Sequence, residues 1–242
     1  VNCVFNKLIS QNNSFFKNVI INSFSSSKIA NITFEIKYIP PTPTGTFLAL
    51  TSTTYNPPGQ NTFVKITLNT TFVANASTIQ IAHALIHELI HAELMQRCIK
   101  LGLIEYILPD GRVKFLNNPV VFQDENEIFS ALIQYYHNIP GKTTISNEQW
   151  NHDLFNVFNY RQKITENLLQ INNILDPTNS FNNVLNNASL NPSNYTLAQV
   201  FEFMAWFGLE GTQDYIALPS TTQTDIINVE NLVNANYTQT CN

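Results

Sequence analysis

The segment from Thr78 to Lys100 contains no glycine or proline and carries apolar side chains on almost every side. Ser77 precedes it and Gln80 follows three positions later, which is the spacing of a capping box at the start of a helix. We therefore predict a helix over residues 78–101. A helix that is apolar all round must be covered on most sides, so we expect this one to be packed at the centre of the fold.

The middle of this helix carries the pentapeptide His87-Glu88-Leu89-Ile90-His91. Histidines four residues apart lie one turn apart on the same face, where both imidazoles can bind one zinc ion. With five histidines in the 242 residues, chance would give roughly 0.005 such motifs in a chain of this composition. The motif thus predicts a metal-dependent hydrolase in which His87 and His91 are ligands and Glu88 is the general base.

His83 lies one turn before His87 and creates a second pair of histidines with the same spacing. A helix rises 1.5 Å per residue, so His83 and His91 are about 12 Å apart along the axis and cannot share one ion. Only the pair 87/91 places a carboxylate directly after its first histidine, because Ala84 follows His83. We interpret His83 as a core histidine or as one that orients a ligand.

A catalytic zinc ion usually has a third protein ligand and keeps one position for water. The downstream candidates are His137, His152, Asp153, Asp124, Glu125 and Glu127. His152 is the best placed, because it stands at the start of a long predicted helix that can pack against the motif helix. His137 is explained by a role at a helix C-terminus, although it and a carboxylate from Glu125 or Glu127 remain alternatives. Asp153 would then orient a ligand.

The composition excludes several classes of protein. The net charge is −5 and no cluster of Lys and Arg appears, so we expect no nucleic-acid partner. No apolar run reaches the 18 residues of a membrane span. The first residue is Val, which suggests that the chain is part of a larger polypeptide.

The cysteines indicate where the protein works. Cys3 and Cys241 stand at opposite ends of the chain, and a disulfide between them would hold the termini of an exported domain together. Sequence alone leaves their pairing open. We expect a secreted or cell-surface protein, and we interpret Cys98 as a buried packing residue.

Hydrophobic patterns predict an α+β fold in one domain, residues 1–242. Residues 1–118 form the α+β part, with a helical segment over 3–24, which Asn12 and Asn13 can interrupt, and an antiparallel meander of strands over 31–39, 45–53 and 61–69. A loop or hairpin over 102–118 follows the motif helix. Residues 119–242 form a helical part that supplies the third ligand, with helices over 124–137, 147–175, 196–207 and 221–236. The strand at Phe63 to Leu68 alternates, and it either faces the core or lies at the sheet edge, where an extended peptide could add to it.

The segment Ala84 to Ala92 resembles the motif helix of zincin metallopeptidases, and the pattern His-Glu-Leu-x-His-Ala is similar to the SprT-like branch. A Cys-x-x-x-x-Leu segment near the N-terminus, Trp150-Asn151-His152-Asp153 and the stretch from Ala205 to Thr212 resemble metallopeptidase-like domains attached to large Bacteroidetes proteins. The resemblance implies a zincin-like fold with a small antiparallel sheet on the motif helix, a third histidine at His152 and a single zinc ion. Two features differ from the pattern: Glu93 replaces an apolar residue, and no third histidine follows His91 closely.

Two functions are consistent with these residues. The first is a zinc metallopeptidase that hydrolyses peptide or protein substrates, with Zn²⁺ bound by His87, His91 and His152 and with Glu88 as the base. The second is a catalytically silent metal-binding accessory or binding module of a larger surface or secreted protein. Cleavage of peptides, compared with that by Glu88→Gln, separates the two.

Overall fold

The computed structural model describes residues 1–12, 14–25, 30–41, 47–54, 62–101, 103–107, 113–115, 152, 154–155, 159–238 and 241, with the backbone alone at 25, 30, 105–107 and 113–115. Within these residues the fold is α+β, with a small three-stranded sheet and mostly helical content. This confirms the α+β class, whereas the zincin-like packing stays a prediction.

The first half of the chain contains the strands and the motif helix. Its elements are α1 (Asn2–Ser10), α2 (Phe15–Val19), a π-helical segment (Ile20–Ser25), β1 (Ala30–Lys37), β2 (Ala49–Thr54), β3 (Thr62–Asn69), α3 (Thr70–Asn75), α4 (Thr78–Lys100), β4 (Ile104–Ile107) and β5 (Val113–Phe115). The second half contains α5 (Tyr160–Leu175), α6 (Ser180–Leu185), α7 (Leu197–Met204), α8 (Gln213–Ile216) and α9 (Ser220–Asn236). The antiparallel pairing of β4 with β5 confirms a hairpin in the predicted region.

The sheet has the strand order β1-β3-β2 and is mixed, so the prediction of an antiparallel meander is wrong. β1 pairs with β3 in parallel, and β2 pairs with β3 in the antiparallel direction. β3 is therefore the central strand, and its alternating Val64, Ile66 and Leu68 are buried. This confirms the core-facing interpretation of that strand and excludes its use as an edge for strand addition.

The side chain of Asn69 explains how the chain skips one position in the sheet. Its Nδ2 donates to the carbonyls of Ile39 and Phe47, at 3.1 and 3.0 Å, and these residues lie at the two ends of the connection between β1 and β2. Asn69 is buried, so these bonds satisfy an amide that would otherwise be costly to bury. The connection is thereby held across the end of β3, which places β2 on the far side of the central strand.

α4 is the central helix of the fold, as its sequence predicts. It spans Thr78 to Lys100, and Ser77 and Gln80 form the predicted capping box. Residues on all of its faces are buried, and the helix packs against α1, α2, α5, β2 and β3. Among the described residues, no helix combines the length and the apolar character needed to cross a membrane.

Two predicted helices are broken in the structure. α1 ends at Ser10 and α2 begins at Phe15, so the segment 3–24 is interrupted at the predicted position. The predicted helix 147–175 is wrong as one element, because Asn159 has a φ of 54° in the left-handed region and α5 begins after it. Asparagine tolerates that conformation better than most residues do.

Several predictions fall on residues outside the described part of the chain. These are the helix 124–137, the turn near residue 110, and the alternative ligands Asp124, Glu125, Glu127, His137 and Asp153. The single-domain assignment stays a prediction.

The two terminal cysteines form a disulfide. The Cα atoms of Cys3 and Cys241 are 5.9 Å apart, and the bond joins positions separated by 238 residues. It closes nearly the whole chain into one loop. Cys98 is fully buried, as predicted.

We expect that replacing both terminal cysteines by serine lowers the free energy of unfolding by about 2–5 kcal/mol, because the open unfolded chain has more conformational freedom. Urea unfolding of the oxidised protein, the reduced protein and the double variant measures this. Reduction of the wild-type protein should reproduce the effect of the variant. Equal unfolding midpoints for all three would contradict the prediction.

Candidate metal centre

Three histidines converge on one side of α4. His87 and His91 lie one helical turn apart with their ring centroids 4.9 Å from each other. His152 reaches the pair from a helical segment that precedes α5, with its ring centroid 5.5 Å from that of His87 and 4.9 Å from that of His91. One potential ligand atom from each of the three rings lies within 4.8 Å of the other two, so the cluster can hold a metal ion.

The spacing of the ring nitrogens fits a coordination sphere. The Nε2 atoms of His91 and His152 are 3.2 Å apart. Two nitrogens that bind one zinc ion at 2.0–2.1 Å in a tetrahedron are about 3.3 Å apart, so this distance suits neighbouring ligands. The residues present therefore fit a metal ion with three imidazole ligands.

Burial keeps these imidazoles neutral. It lowers the pKa of His87 and of His91 well below the usual value, because desolvation disfavours the charged ring, and the neighbouring histidines lower both further. Burial also lowers the pKa of His152 to about 4. Neutral imidazole is the form that binds a metal, so no proton has to be displaced from the site near neutral pH.

Phe155 fixes the positions of the three rings. Its ring centroid lies 4.9 Å from that of His87, 5.2 Å from that of His91 and 5.7 Å from that of His152. Phe155 is fully buried, and Leu154 beside it is buried as well. The apolar side of this short segment therefore anchors His152 against α4.

Two nitrogens in the cluster lack hydrogen bonds. The Nδ1 atoms of His87 and His91 are buried and have no partner among the described residues. Burying imidazoles without hydrogen bonds is costly. Coordination of a cation by the other nitrogen of each ring would leave these Nδ1 atoms unpaired, so they do not bear on the fit to a metal.

Glu88 is held beside the cluster by strand β2. The hydroxyl of Thr51 lies 2.7 Å from Oε2 of Glu88 and 2.9 Å from the backbone carbonyl of the same residue. Both side chains are buried. A hydroxyl has a single proton to donate, and the shorter distance favours the carboxylate. Thr51 thus sets the orientation of Glu88.

His83 lies on the wall of the same cleft and outside the metal cluster. Burial lowers the pKa of His83 to about 4, and the backbone carbonyl of Met204 raises it slightly against that effect. The ring packs edge-on against Phe207 at 5.7 Å. Its Nε2 has no hydrogen-bond partner among the described residues. The ring centroid of His83 is 5.8 Å from that of His87, and His83 is not one of the three histidines of the cluster.

A turn after α7 approaches His87 closely. Gly208 has a φ of 86°, and a Cβ at this position would lie 3.2 Å from Cε1 of His87. Its amide donates to Oε1 of Glu210 at 3.0 Å. Glycine is suited to this position, because the backbone is left-handed and the imidazole leaves little room for a side chain.

The histidines, Glu88 and this turn line a cleft of about 560 Å³. β2 and the residues before it contribute one part of its lining, and the turn after α7 contributes another. The apolar lining consists mainly of Phe47, Leu48, Leu50, Phe72, Met204 and Phe207. A cleft of this size accommodates several residues of a peptide or a small molecule.

Glu93 stands where the motif helix of zincins has an apolar residue, and it lies away from the cleft. Burial raises the pKa of Glu93, while Lys163, a hydrogen bond from Tyr160 and Arg97 lower it. It is not among the residues that line the cleft. Glu93 is therefore part of the packing between α4 and α5.

The structure brings together the residues that the sequence selected, namely His87, Glu88, His91 and His152. Sequence reasoning missed Thr51 and Gly208. A threonine in a strand gives no signal of its contact with a residue of α4, and Gly208 entered only as part of the resembling stretch from Ala205 to Thr212, with no role of its own. No family model, curated protein or solved structure matches the chain.

We expect Gly208→Ala to lower both stability and metal affinity. The alanine must adopt a left-handed conformation at a cost of about 1–2 kcal/mol, and its methyl group would press on the His87 ring. Urea unfolding and titration with a divalent metal measure the two effects. Gly211→Ala is the matched control, because nothing lies within 4 Å of its added Cβ. Identical results for the two variants would show that the approach to His87 does not matter.

Proposed function

We propose that this protein is a zinc-dependent metallopeptidase of the zincin type. The observation that carries the proposal is the arrangement of three neutral imidazoles, two buried and one half-buried, beside a carboxylate at the wall of an open cleft. Three nitrogen ligands with access from a cleft are typical of catalytic rather than structural zinc sites, since the latter are closed by four protein ligands. The location of Glu88 directly after the first ligand agrees with this class.

The chemistry supplied by a bound zinc ion is the acidification of water and the polarisation of the scissile carbonyl. The role of the chain's own residues follows from their positions. His87, His91 and His152 hold the ion, and Phe155 keeps their rings in place. Glu88 accepts the proton of the attacking water on its carboxylate and passes it to the leaving amine. Thr51 holds Oε2 of Glu88 and so fixes the direction in which the carboxylate points.

Strand β2 supports a peptide as the substrate. It is an edge strand among the described residues, and residues 47–51 line the cleft. An extended peptide beside β2 can pair with its free backbone groups, as peptides do at exposed sheet edges. The strand that the sequence suggested for this purpose, β3, is paired on both sides.

A secreted or cell-surface location forms part of the proposal. The disulfide between Cys3 and Cys241 supports it, because such bonds persist in oxidising compartments. A silent metal-binding module would share the disulfide and the metal, and differs only in its lack of turnover.

The test is cleavage of a library of short peptides by zinc-loaded protein, analysed by mass spectrometry. We expect cleavage at defined bonds, loss of cleavage after chelation and its return when zinc is added back. If zinc binds and no peptide is cleaved, the silent module is the better description.

A further inference from the structure

Two carboxylates give the cleft an acidic rim. Glu210, in the turn after α7, and Glu230, on α9, both line it. Burial raises the pKa of Glu230, and the negative charge of Glu210 raises it further, so the two carboxylates are close enough to repel each other. Neither forms a salt bridge within the described part of the chain, and none of the described lining residues is Lys or Arg. A cation between them would relieve this repulsion.

A second feature of the same cleft is the unsatisfied acceptor of His83. Its side chain is 8% exposed and lines the cleft. The neighbouring carbonyl of Met204 is an acceptor and can take only the N–H of the neutral ring. The other nitrogen remains an acceptor, and Nε2 has no partner in the residues that the structure describes. A hydrogen-bond donor is therefore the group that this position of the cleft lacks.

The walls between these polar groups are apolar. Phe72, Met204 and Phe207 line the cleft, and the Phe207 ring packs against His83. Such walls suit the methylene stem of a long side chain, whose charged head can then reach the acidic rim. The required ligand has an apolar stem, a positive charge and several N–H donors. Lysine and arginine side chains combine these three properties.

We propose that the region between His83, Glu210 and Glu230 is a subsite that binds a lysine or arginine side chain of the substrate beside the cleaved bond. The inference rests on the proposed peptidase function and adds its substrate class. The distance between His83 and the metal cluster suits such a subsite, because His83 precedes His87 by one helical turn, about 6 Å along the axis. The subsite is therefore one side chain away from the metal centre.

Binding of peptides to zinc-loaded Glu88→Gln protein tests the subsite without turnover. The probes are fluorescent alanine peptides in which each position in turn is arginine, lysine, norleucine or glutamate. We expect the best arginine and lysine peptides to bind about ten-fold more tightly than the norleucine peptides, because hydrogen bonds to charged groups exceed neutral contacts by this order. Glutamate peptides should bind most weakly. Equal affinity for arginine and norleucine at every position would overturn the proposal.

Variants assign the preference to the named residues. Glu210→Gln combined with Glu230→Gln should remove the preference for basic peptides, and both positions are exposed, so folding should be retained. Glu166→Gln combined with Glu202→Gln is the matched control, since these exposed carboxylates change the net charge equally and do not line the cleft. His83→Phe keeps an aromatic ring against Phe207 and should weaken arginine and lysine binding alone. If the control pair loses the preference for basic peptides to the same extent, the preference comes from the overall charge of the protein and not from the subsite.

The outcomes also separate this proposal from the peptidase function. Cleavage by the wild-type protein with no basic preference refutes the subsite and leaves the peptidase in place. Binding that depends on Glu210 and Glu230, together with no cleavage by the wild-type protein, supports a binding site for basic side chains and refutes both the peptidase and the site's place beside a cleaved bond.

Discussion

Replacing Glu88 by glutamine should lower kcat by about 100-fold to 10,000-fold, the range that a positioned general base contributes. An amide has nearly the shape of the carboxylate, and its oxygen can still accept the hydrogen bond from Thr51. It cannot accept a proton. Metal affinity should change little, because the metal cluster consists of His87, His91 and His152. Initial rates on the best library peptide, together with the zinc content of each protein, measure both quantities.

Glu93→Gln provides the matched control for this substitution. Glu93 lies on the same helix and is largely buried, and it is absent from the lining of the cleft. We expect it to retain metal and turnover per folded molecule. A rate for Glu88→Gln equal to that of the wild type would remove Glu88 from the mechanism. Loss of metal together with activity would instead identify Glu88 as a ligand.

The parts of the site that sequence could predict are those fixed by local geometry. The helix α4 follows from its capping box, its composition and the absence of breakers, and the convergence of His87 and His91 follows from a spacing of four on that helix. No knowledge of the fold is needed for either step. His152 is different, because 61 residues separate it from His91 and only the packing of Phe155 against α4 brings it near. Sequence could therefore rank it first but not exclude its competitors.

The order of the strands depends on contacts that sequence does not reveal. The alternation of apolar and polar residues located all three strands to within a few residues of their observed bounds, because the two faces of a strand lie in different environments. The order β1-β3-β2 depends instead on the connection that Asn69 holds across the end of β3. A buried asparagine with three hydrogen bonds is indistinguishable in sequence from an exposed one in a turn. The same limit applies to Thr51, whose contact with Glu88 exists only because β2 is the strand beside the cleft.

The other part of the cleft lining was equally hidden from sequence analysis. Gly208, Glu210 and Glu230 follow the motif helix by more than a hundred residues, and two of them are exposed carboxylates of an ordinary kind. Their significance comes from the cleft that they share with His83. The helix α9 reaches this region through a hydrogen bond from Gln80 to Asn234, one turn beyond Glu230. Which charges face the cleft thus depends on how α9 packs through its buried residues, among them Val229 and Val233.

Removal of any one of the three imidazoles should abolish stoichiometric metal binding at micromolar zinc. Even residues that only orient a ligand contribute about 10-fold to 100-fold to metal affinity, so the loss of a ligand should exceed about 100-fold. We expect this for His87→Ala, His91→Ala and His152→Ala, measured by competition with a chromophoric chelator. His83→Ala is the matched control, because His83 is one turn from His87 and outside the cluster. It should retain zinc.

If His152→Ala also retains zinc at full affinity, the third ligand is not His152, although the other two assignments would stand. If His83→Ala loses zinc as fully as the other variants do, the choice of the pair 87/91 over 83/87 is wrong, and with it the role of Glu88 as the base beside the metal.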